Sequence, residues 1–185
     1  MARLTAYNFV TLNGFFKGPG GDLSWHQHGS KEESEYAADS ISAGSTLLFG
    51  RITYEMMMSY WPTPQAIEND PVVANGMNEA EKIVFSKTLK TAKWNNTTLV
   101  KDDMVEALKK MKKQSSKDMT ILGSGSIITQ CAEHGLIDEY QVMINPVAIG
   151  DGTPMFKGIS NKLSLKLVSS RIFKSGVVLL NYQPA

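Results

Sequence analysis

The sequence has one cysteine and no marked excess of either charge, and each absence excludes a class of protein. With Cys131 alone among 185 residues, no disulfide can form within the chain. Cys131 lies in an apolar helical pattern, and we interpret it as a small core residue rather than a nucleophile. The 19 basic and 18 acidic residues give a net charge of +1, whereas nucleic-acid-binding domains usually carry a clear basic excess. We therefore expect no nucleic-acid partner.

Long apolar runs are also missing. No stretch approaches the roughly 18 residues that indicate a membrane span, so we expect no membrane partner. The opening residues "MARLTAYNFV" lack the apolar segment of a signal peptide and have the pattern of a first strand. These features favour a cytoplasmic protein. The length, with 42% hydrophobic and 20% charged residues, is typical of one globular domain, expected to span residues 1–185.

Strand-like and helix-like runs alternate along the chain, which favours an α/β fold with helices on both faces of a sheet. The strand-like runs are residues 3–10, 45–49, 81–85, 97–100, 119–122, 138–148, 162–173 and 176–183. The helical patterns are residues 31–43, 51–59, 73–80, 103–114 and 125–134. The turn at residues 174–176 separates two strand-like runs and indicates a hairpin. We therefore predict three α/β/α layers with a mixed, mostly parallel central sheet and a C-terminal antiparallel hairpin.

One loop of small residues follows a predicted strand and precedes a predicted helix. In "ILGSGSIITQ", residues 121–130, the Gly-Ser-Gly-Ser segment 123–126 would place free N–H groups and the positive end of a helix dipole beside a ligand. Alone, the motif is equally consistent with a tight turn. Ile128 stands where a dinucleotide-binding fingerprint has its third glycine, and the Gly-Lys-Ser/Thr of a Walker A loop is absent.

Two further loops carry residues suited to anions. "LLFGRITYE", residues 47–55, sets a Gly-Arg pair at 50–51 between a strand and a helix, and arginine offers a planar donor fork for phosphate oxygens. "IVFSKTL", residues 83–89, ends a strand with Ser-Lys-Thr at 86–88. Each segment alone is more often ordinary surface. Because loops at the carboxyl ends of parallel strands share one edge, the three together indicate an extended ligand with several phosphates.

The order of these motifs resembles the dihydrofolate reductase-like superfamily, in particular the reductase domain of the bifunctional riboflavin-biosynthesis deaminase–reductase and its stand-alone relatives. The similarity runs from about residue 3 to residue 182 and is carried by "TLNGFFKGPGGDLSW" (11–25), "LLFGRITYEMM" (47–57) and "ILGSGSIITQCAEHGLIDEYQVMINPVAIGDGTPMF" (121–156). It implies NADPH bound across the strand ends, a homodimer formed through the C-terminal strands, and hydride transfer to a small heterocyclic or carbonyl substrate. The reaction of these relatives is reduction of the ribosylamino-pyrimidine intermediate, 5-amino-6-(5-phosphoribosylamino)uracil.

The resemblance also implies roles for individual residues. Those expected to bind NADPH are Gly50, Arg51 and Thr53 at its phosphates, Ser86, Lys87 and Thr88 near the adenosine 2′-phosphate, and Gly123, Ser124, Gly125, Ser126 and Ile127 at the diphosphate. Within that last loop, the backbone at Gly125 is expected to approach the diphosphate. The Gly123–Ser124 peptide is expected to be cis, as in similar folds. The residues expected near the substrate are Asn13, Trp25 and Tyr54, although core packing is an open alternative for Trp25 and Tyr54.

The chain departs from the family pattern where the substrate should bind. Dihydrofolate reductases have a carboxylate sixteen residues before the glycine of the Gly-Arg pair, and here that residue is Ser34. We interpret the flanking Glu33 and Glu35 as solvent-facing helix carboxylates, which weakens folate reduction as a function. Asn13 replaces the family's aspartate and cannot donate a proton as an acid would. The group that supplies a proton is therefore unassigned.

Other hypotheses stay open at this point. His26 and His28, with the distant His134, are too few and too scattered for a typical zinc site, so we expect no metal. The alternatives to a reductase of the riboflavin type are a dihydrofolate reductase and a non-catalytic NADPH-binding protein of the same fold.

Overall fold

The computed structural model describes residues 1–26 and 30–185. Its strands are β1 (Leu4–Thr11), β2 (Phe15–Lys17), β3 (Thr46–Gly50), β4 (Lys82–Phe85), β5 (Thr97–Val100), β6 (Met119–Leu122), β7 (Glu139–Asn145), β8 (Thr153–Pro154), β9 (Leu165–Ile172) and β10 (Val178–Pro184). Its helices are α1 (Lys31–Ser42), α2 (Arg51–Tyr60), α3 (Pro64–Asn69), α4 (Pro71–Glu79), α5 (Met104–Gln114) and α6 (Gly125–Glu133).

The main sheet of this described part has eight strands in the order β5-β4-β3-β6-β1-β7-β10-β9. From β5 to β7 each strand is parallel to its neighbour. The last two strands reverse direction, because β10 is antiparallel to β7 and β9 is antiparallel to β10. The predicted mixed sheet with a C-terminal antiparallel hairpin is therefore confirmed.

Helices cover both faces of the sheet because successive side chains of a strand point to opposite faces. Leu4 of β1 shares an apolar cluster with Leu108 of α5 and Ile128 of α6 on one face. On the other face, Phe49 of β3 shares a cluster with Tyr54 of α2 and with residues of α1 and α4. The predicted α/β/α layering is confirmed. None of the helices in the described residues is long and apolar enough to cross a membrane.

Three short elements were not predicted: β2, β8 and α3. The two strands have three and two residues, too few to show an alternating pattern. Helix α3 begins with a proline, as does α4, which starts two residues earlier than predicted. Proline is favoured at the first helical position, where its missing N–H leaves no bond unmade. Thr63 and Asp70 cap these helices by accepting N–H bonds from Ala66 and Val73 at 3.2 and 3.3 Å.

Lys82, at the start of β4, is fully buried at 1% exposure. Its Nζ donates to the carbonyls of Met77, Asn78 and Ala80 at 2.8, 3.0 and 2.7 Å, and lies 4.6 Å from the centre of the Trp94 ring. Burial lowers the pKa of Lys82 to about 8, while the carbonyls at the α4 C-terminus and the indole face stabilise the ammonium. Lys82 therefore joins α4 to β4 of the sheet.

Replacing Lys82 with Met should lower the free energy of unfolding by about 2 kcal/mol, because three carbonyl groups lose their donor. Urea denaturation followed by circular dichroism would measure this. Lys110→Met, a matched change on the exposed face of α5, should alter the free energy of unfolding by less than about 0.5 kcal/mol. Equal effects of the two changes would contradict a capping role for Lys82.

Strand β9 forms one edge of the sheet and is exposed along most of its length. Leu167, Val168 and Ile172 are 49%, 54% and 76% exposed. Unpaired edge strands with apolar side chains favour association with a second chain. We propose that two copies of the protein pair through the β9 edge.

Light scattering should accordingly return twice the chain mass of 20.4 kDa at micromolar concentration. Val168→Lys should shift the equilibrium toward the monomer, because it places a charge on the proposed contact. Val72→Lys is the control: Val72 is 55% exposed on α4, away from β9. A wild-type protein that elutes as a monomer would overturn the proposal.

Candidate functional site

A crevice opens at the carboxyl edge of the sheet because β6 ends before its neighbours. Leu122, the last residue of β6, pairs with Tyr7 of β1, but β1 continues to Thr11 along β7. On the other side, pairing of β6 with β3 ends at Leu48, while β3 continues to Gly50 along β4. We call the resulting gap the strand-end crevice.

The crevice lies where the connections of two adjacent parallel strands diverge. The chain that leaves β1 leads to α1 on one face, and the chain that leaves β6 enters α6 on the other face. Adjacent parallel strands whose connections diverge in this way form the crevice in which α/β proteins bind ligands. The N-terminus of α6 lies directly after β6 and so faces this edge.

The turn from β6 into α6 is made by two left-handed residues. Gly123 has φ 57° and Ser124 has φ 55°, and Ser124 is the N-cap residue of the helix. No cis peptide bond occurs among residues 1–26 and 30–185, so the expected cis Gly123–Ser124 peptide is wrong. Two consecutive positive φ angles already turn the chain sharply enough to start the helix with trans peptides.

The Ser124 hydroxyl joins two of the predicted anion-binding loops. Its Oγ accepts the N–H of Gly50 at 3.0 Å and donates to the carbonyl of Leu122 at 3.1 Å. Ser124 is buried, and both roles of its hydroxyl are used within the protein. The structure thus gives this side chain a positioning role, which sets the start of α2 beside the start of α6.

Gly123 is flanked by polar groups from two other elements. A Cβ placed on Gly123 would lie 3.7 Å from Thr53 Oγ1 and 3.9 Å from Asn8 Oδ1. Asn8 is only 4% exposed, and its Nδ2 has no hydrogen-bond partner among the described residues. We did not predict Asn8 from the sequence. The sequence signal for Asn8 is its polar side chain in the β1 segment "AYNFV", at a position where the alternating pattern places side chains toward the apolar core.

The remainder of the loop has mixed roles. A Cβ on Gly125 would lie 2.8 Å from Cζ of Phe16, so a packed ring occupies the side that a side chain would take, and contact of the Gly125 backbone with the diphosphate stays a prediction. Ile127 is 3% exposed, and its N–H donates to the Ser124 carbonyl at 2.8 Å. Its position is that of a core residue, and contact with a cofactor stays a prediction. Ser126 is exposed in the first turn of α6.

A second concavity adjoins α2 and is lined by three basic side chains and one acidic one. This cationic cleft has a volume of about 710 Å³, and its polar lining includes Arg51, Glu55, Thr88, Lys90 and Lys93. The guanidinium of Arg51 pairs with Glu55 at 3.0 Å. Arg51 and Thr88, predicted from separate loops, are thus brought together. Lys90 and Lys93 were not predicted, because neither belongs to a recognisable motif.

The Ser-Lys-Thr segment after β4 forms a tight turn. Ser86 Oγ accepts the N–H groups of Thr88 and Leu89 at 3.2 and 2.9 Å. Its hydroxyl therefore orders the turn, which presents Thr88 to the cationic cleft. Lys87 is exposed beside it. Cofactor binding by Ser86 and Lys87 stays a prediction.

The three residues predicted to contact substrate lie in different environments. Tyr54 is 1% exposed, and its Oη accepts the N–H of Trp94 at 2.9 Å. The Asn13 amide accepts from the Thr11 hydroxyl and donates to the Ile149 carbonyl, both at 2.8 Å. Both side chains thus have structural partners, and their contact with substrate stays a prediction.

Trp25 is half-buried, next to β1 and β7. Its ring packs edge-on against His26 at 5.8 Å, and His26 lies 4.1 Å from the ring of Phe9. Trp25 Nε1 is buried without a partner in the described part of the chain. His28, the second histidine considered for a metal, lies outside the described residues.

Glu33 and Glu35 of α1 were both interpreted from the sequence as solvent-facing, and for Glu33 this is wrong. Glu33 is 7% exposed rather than solvent-facing. Its Oε1 accepts from the Ser30 hydroxyl at 3.0 Å and the Ser175 hydroxyl at 2.5 Å, so it closes the capping box of α1 and ties the helix to the β9–β10 turn. Glu35 is exposed, as expected. Ser34 itself offers no carboxylate.

Comparison with known proteins agrees with this architecture. Residues 2–179 match the family of the RibD C-terminal domain. The chain belongs to this family. It is 31% identical to the uncharacterized protein YyaP of Bacillus subtilis over 94% of this chain and 90% of YyaP. The resemblance inferred from the motifs is therefore confirmed.

Two crystal structures show the same fold. A candidate riboflavin biosynthesis protein from Shewanella sp. PV-4 superposes with a TM-score of 0.76 at 20% identity, over 100% of this chain and 99% of that one. The diaminohydroxyphosphoribosylaminopyrimidine deaminase/5-amino-6-(5-phosphoribosylamino)uracil reductase of Thermotoga maritima superposes with a TM-score of 0.68 at 14% identity. That match covers 100% of this chain and 57% of the Thermotoga protein. The same fold thus forms part of a longer chain in the Thermotoga protein.

The contact between Gly125 and Phe16 can be tested by a double-mutant cycle. Gly125→Ala should lower the free energy of unfolding by about 1 to 3 kcal/mol, because the added methyl overlaps the Phe16 ring. In a Phe16→Ala background the same change should have little effect, since the space is then open. Urea denaturation of the four proteins gives the coupling energy. Additive effects would show that contact with Phe16 is not the reason why residue 125 is a glycine.

Proposed function

We propose that this RibD C-terminal domain protein is an NADPH-dependent reductase that transfers hydride to a small heterocyclic or carbonyl substrate. The observation that carries the proposal is the strand-end crevice. The N-terminus of α6, the unpaired buried amide of Asn8 and the start of α2 lie beside one another there. Family membership supports a reductase. A substrate similar to 5-amino-6-(5-phosphoribosylamino)uracil, named for the Thermotoga protein, is part of the proposal.

The residues present fit NADPH. The first N–H groups of α6 have no acceptor within their own helix and carry the positive end of its dipole, which suits the diphosphate. The Asn8 amide is a further donor without a partner. Arg51, Lys90 and Lys93 give the cationic cleft the charge to hold the adenosine 2′-phosphate. We assign the diphosphate to the crevice and the 2′-phosphate to the cleft.

Side chains on the α1 side of the crevice suit a flat substrate. The nicotinamide, when bound, supplies the hydride, and the protein's part is to orient the acceptor beside it and exclude water. Phe9, Trp25 and His26 offer aromatic surfaces at this position. The Tyr7 hydroxyl, like that of an ordinary tyrosine, is protonated at neutral pH and can donate a hydrogen bond, and burial raises its pKa still further.

The alternatives from the sequence predict different behaviour. Dihydrofolate reduction needs a free carboxylate on α1, but Glu33 is engaged by two serine hydroxyls. Loss of NADPH absorbance with the pyrimidine substrate and none with dihydrofolate would support our proposal. Tight NADPH binding without turnover of either compound would favour a non-catalytic protein. No NADPH binding would refute all three functions.

Calorimetric titration should show NADPH binding at least tenfold tighter than NADH, about 1.4 kcal/mol. The reason is that the positive side chains of the cationic cleft can attract the 2′-phosphate of NADPH, whereas the 2′-hydroxyl of NADH is uncharged. Equal affinities for the two cofactors would contradict the assignment of the 2′-phosphate to this cleft.

Arg51→Ala should weaken NADPH binding by about tenfold at low salt and by less at high salt, because a screened charge is removed. NADH affinity should change little. The matched control is Arg3→Ala, which also removes an arginine paired with a glutamate, Glu139 at 2.9 Å, but at the opposite end of β1. If both variants lost the same affinity, the effect would reflect net charge rather than the cleft.

A further inference from the structure

We infer that Asn8 is a cofactor-binding residue, whose side-chain amide donates a hydrogen bond to an oxygen of NADPH at the strand-end crevice. This inference rests on the proposed function and adds a residue that the motifs do not contain. The acceptor is either a diphosphate oxygen or the carboxamide oxygen of the nicotinamide.

The first argument is burial without a partner. Asn8 is 4% exposed, and its Nδ2 has no acceptor in residues 1–26 and 30–185. Nearly all buried polar groups in native proteins are hydrogen-bonded, and each exception calls for an explanation. The neighbouring side chains on this face of β1 are Ala6 and Val10, both in the apolar core. An apolar residue would therefore suit the position better if no ligand entered.

The second argument is position. Asn8 follows Tyr7, the last residue of β1 that pairs with β6. On this side it is thus the first residue of β1 to face the crevice instead of a strand. Its Oδ1 lies 3.9 Å from where a Cβ on Gly123 would be, and Thr53 flanks the same glycine. The amide therefore lies beside the turn that presents the α6 N-terminus.

The third argument is chemical. The α6 N-terminus provides N–H donors, and the Thr53 hydroxyl can provide another. Asn8 Oδ1 lies on the Gly123 side while Nδ2 is enclosed, and a half-turn of the amide about χ2 brings the Nδ2 donor to that side. A site built mainly from donors is complementary to an oxygen-rich acceptor. The amide has no charge, so its contribution should depend on geometry and only weakly on salt, in contrast to that of Arg51.

The test uses Asn8→Leu, which keeps the approximate size of the side chain and removes the amide. Thermal unfolding of the protein without ligand should show equal or greater stability, because an unpaired buried amide is replaced by an apolar group. Calorimetry should show NADPH binding weakened about tenfold to a hundredfold, as expected for loss of a hydrogen bond to a polar or charged acceptor. Asn8→Ala, which cannot clash with its neighbours, should show the same loss of affinity.

Fragments of the cofactor identify the acceptor. Adenosine 2′-monophosphate, which reaches only the cationic cleft, should bind the wild type and both variants alike. If 2′-phospho-ADP-ribose loses as much affinity as NADPH, the acceptor is a diphosphate oxygen. If only NADPH is affected, the acceptor is the nicotinamide carboxamide.

The outcomes separate this inference from the proposed function. A wild-type protein that does not bind NADPH refutes the function. A wild type that binds NADPH, with Asn8→Leu and Asn8→Ala folded and binding it equally well, refutes the role of Asn8 alone. A loss of affinity that only matches a loss of stability would also refute it, because that pattern is expected from a structural residue.

Discussion

The early end of β6 is the constraint on which the site depends. Because β6 leaves the sheet at Leu122 while β1 and β3 continue, a gap forms at the carboxyl edge that the start of α6 must border. Two left-handed residues make the turn, and the hydroxyl of Ser124 bonds both the end of β6 and the start of α2. The positions of two helix N-termini are thereby fixed by one buried side chain.

Two buried polar residues differ in whether the protein itself supplies their hydrogen-bond partners. Lys82 has three carbonyl acceptors and an aromatic face, so its burial is compensated within the protein. Asn8 is almost as buried, but its Nδ2 has no partner in the described chain. A group left unpaired lowers stability, and such groups concentrate where a ligand completes the bonding. The unpaired amide of Asn8 supports the ligand-binding role proposed for the crevice.

The sequence was sufficient to predict the layers, the mixed sheet and the edge on which the loops lie, because these follow from apolar periodicity and strand order. It did not predict what each loop residue would do. Nothing near Gly125 in the sequence indicates that Phe16, 109 residues away, occupies the side where a side chain would lie. Glu33 looked solvent-facing, since nothing local indicates that Ser175 reaches it. Lys90 and Lys93 have no local signal either, since their position beside the cleft depends on tertiary neighbours. Asn8 has a weak signal, a polar side chain at a buried position of β1.

The two ends of the site differ in the kind of interaction they offer. The cationic cleft is open, and Arg51 is 44% exposed and paired with the similarly exposed Glu55, so its attraction for an anion is screened by salt. The crevice is lined by backbone N–H groups and buried side chains whose positions are set by the sheet. Interactions there are less screened and more dependent on geometry. An extended ligand held at both ends would thus be attracted by charge at one end and aligned by fixed donors at the other, and hydride transfer requires that alignment.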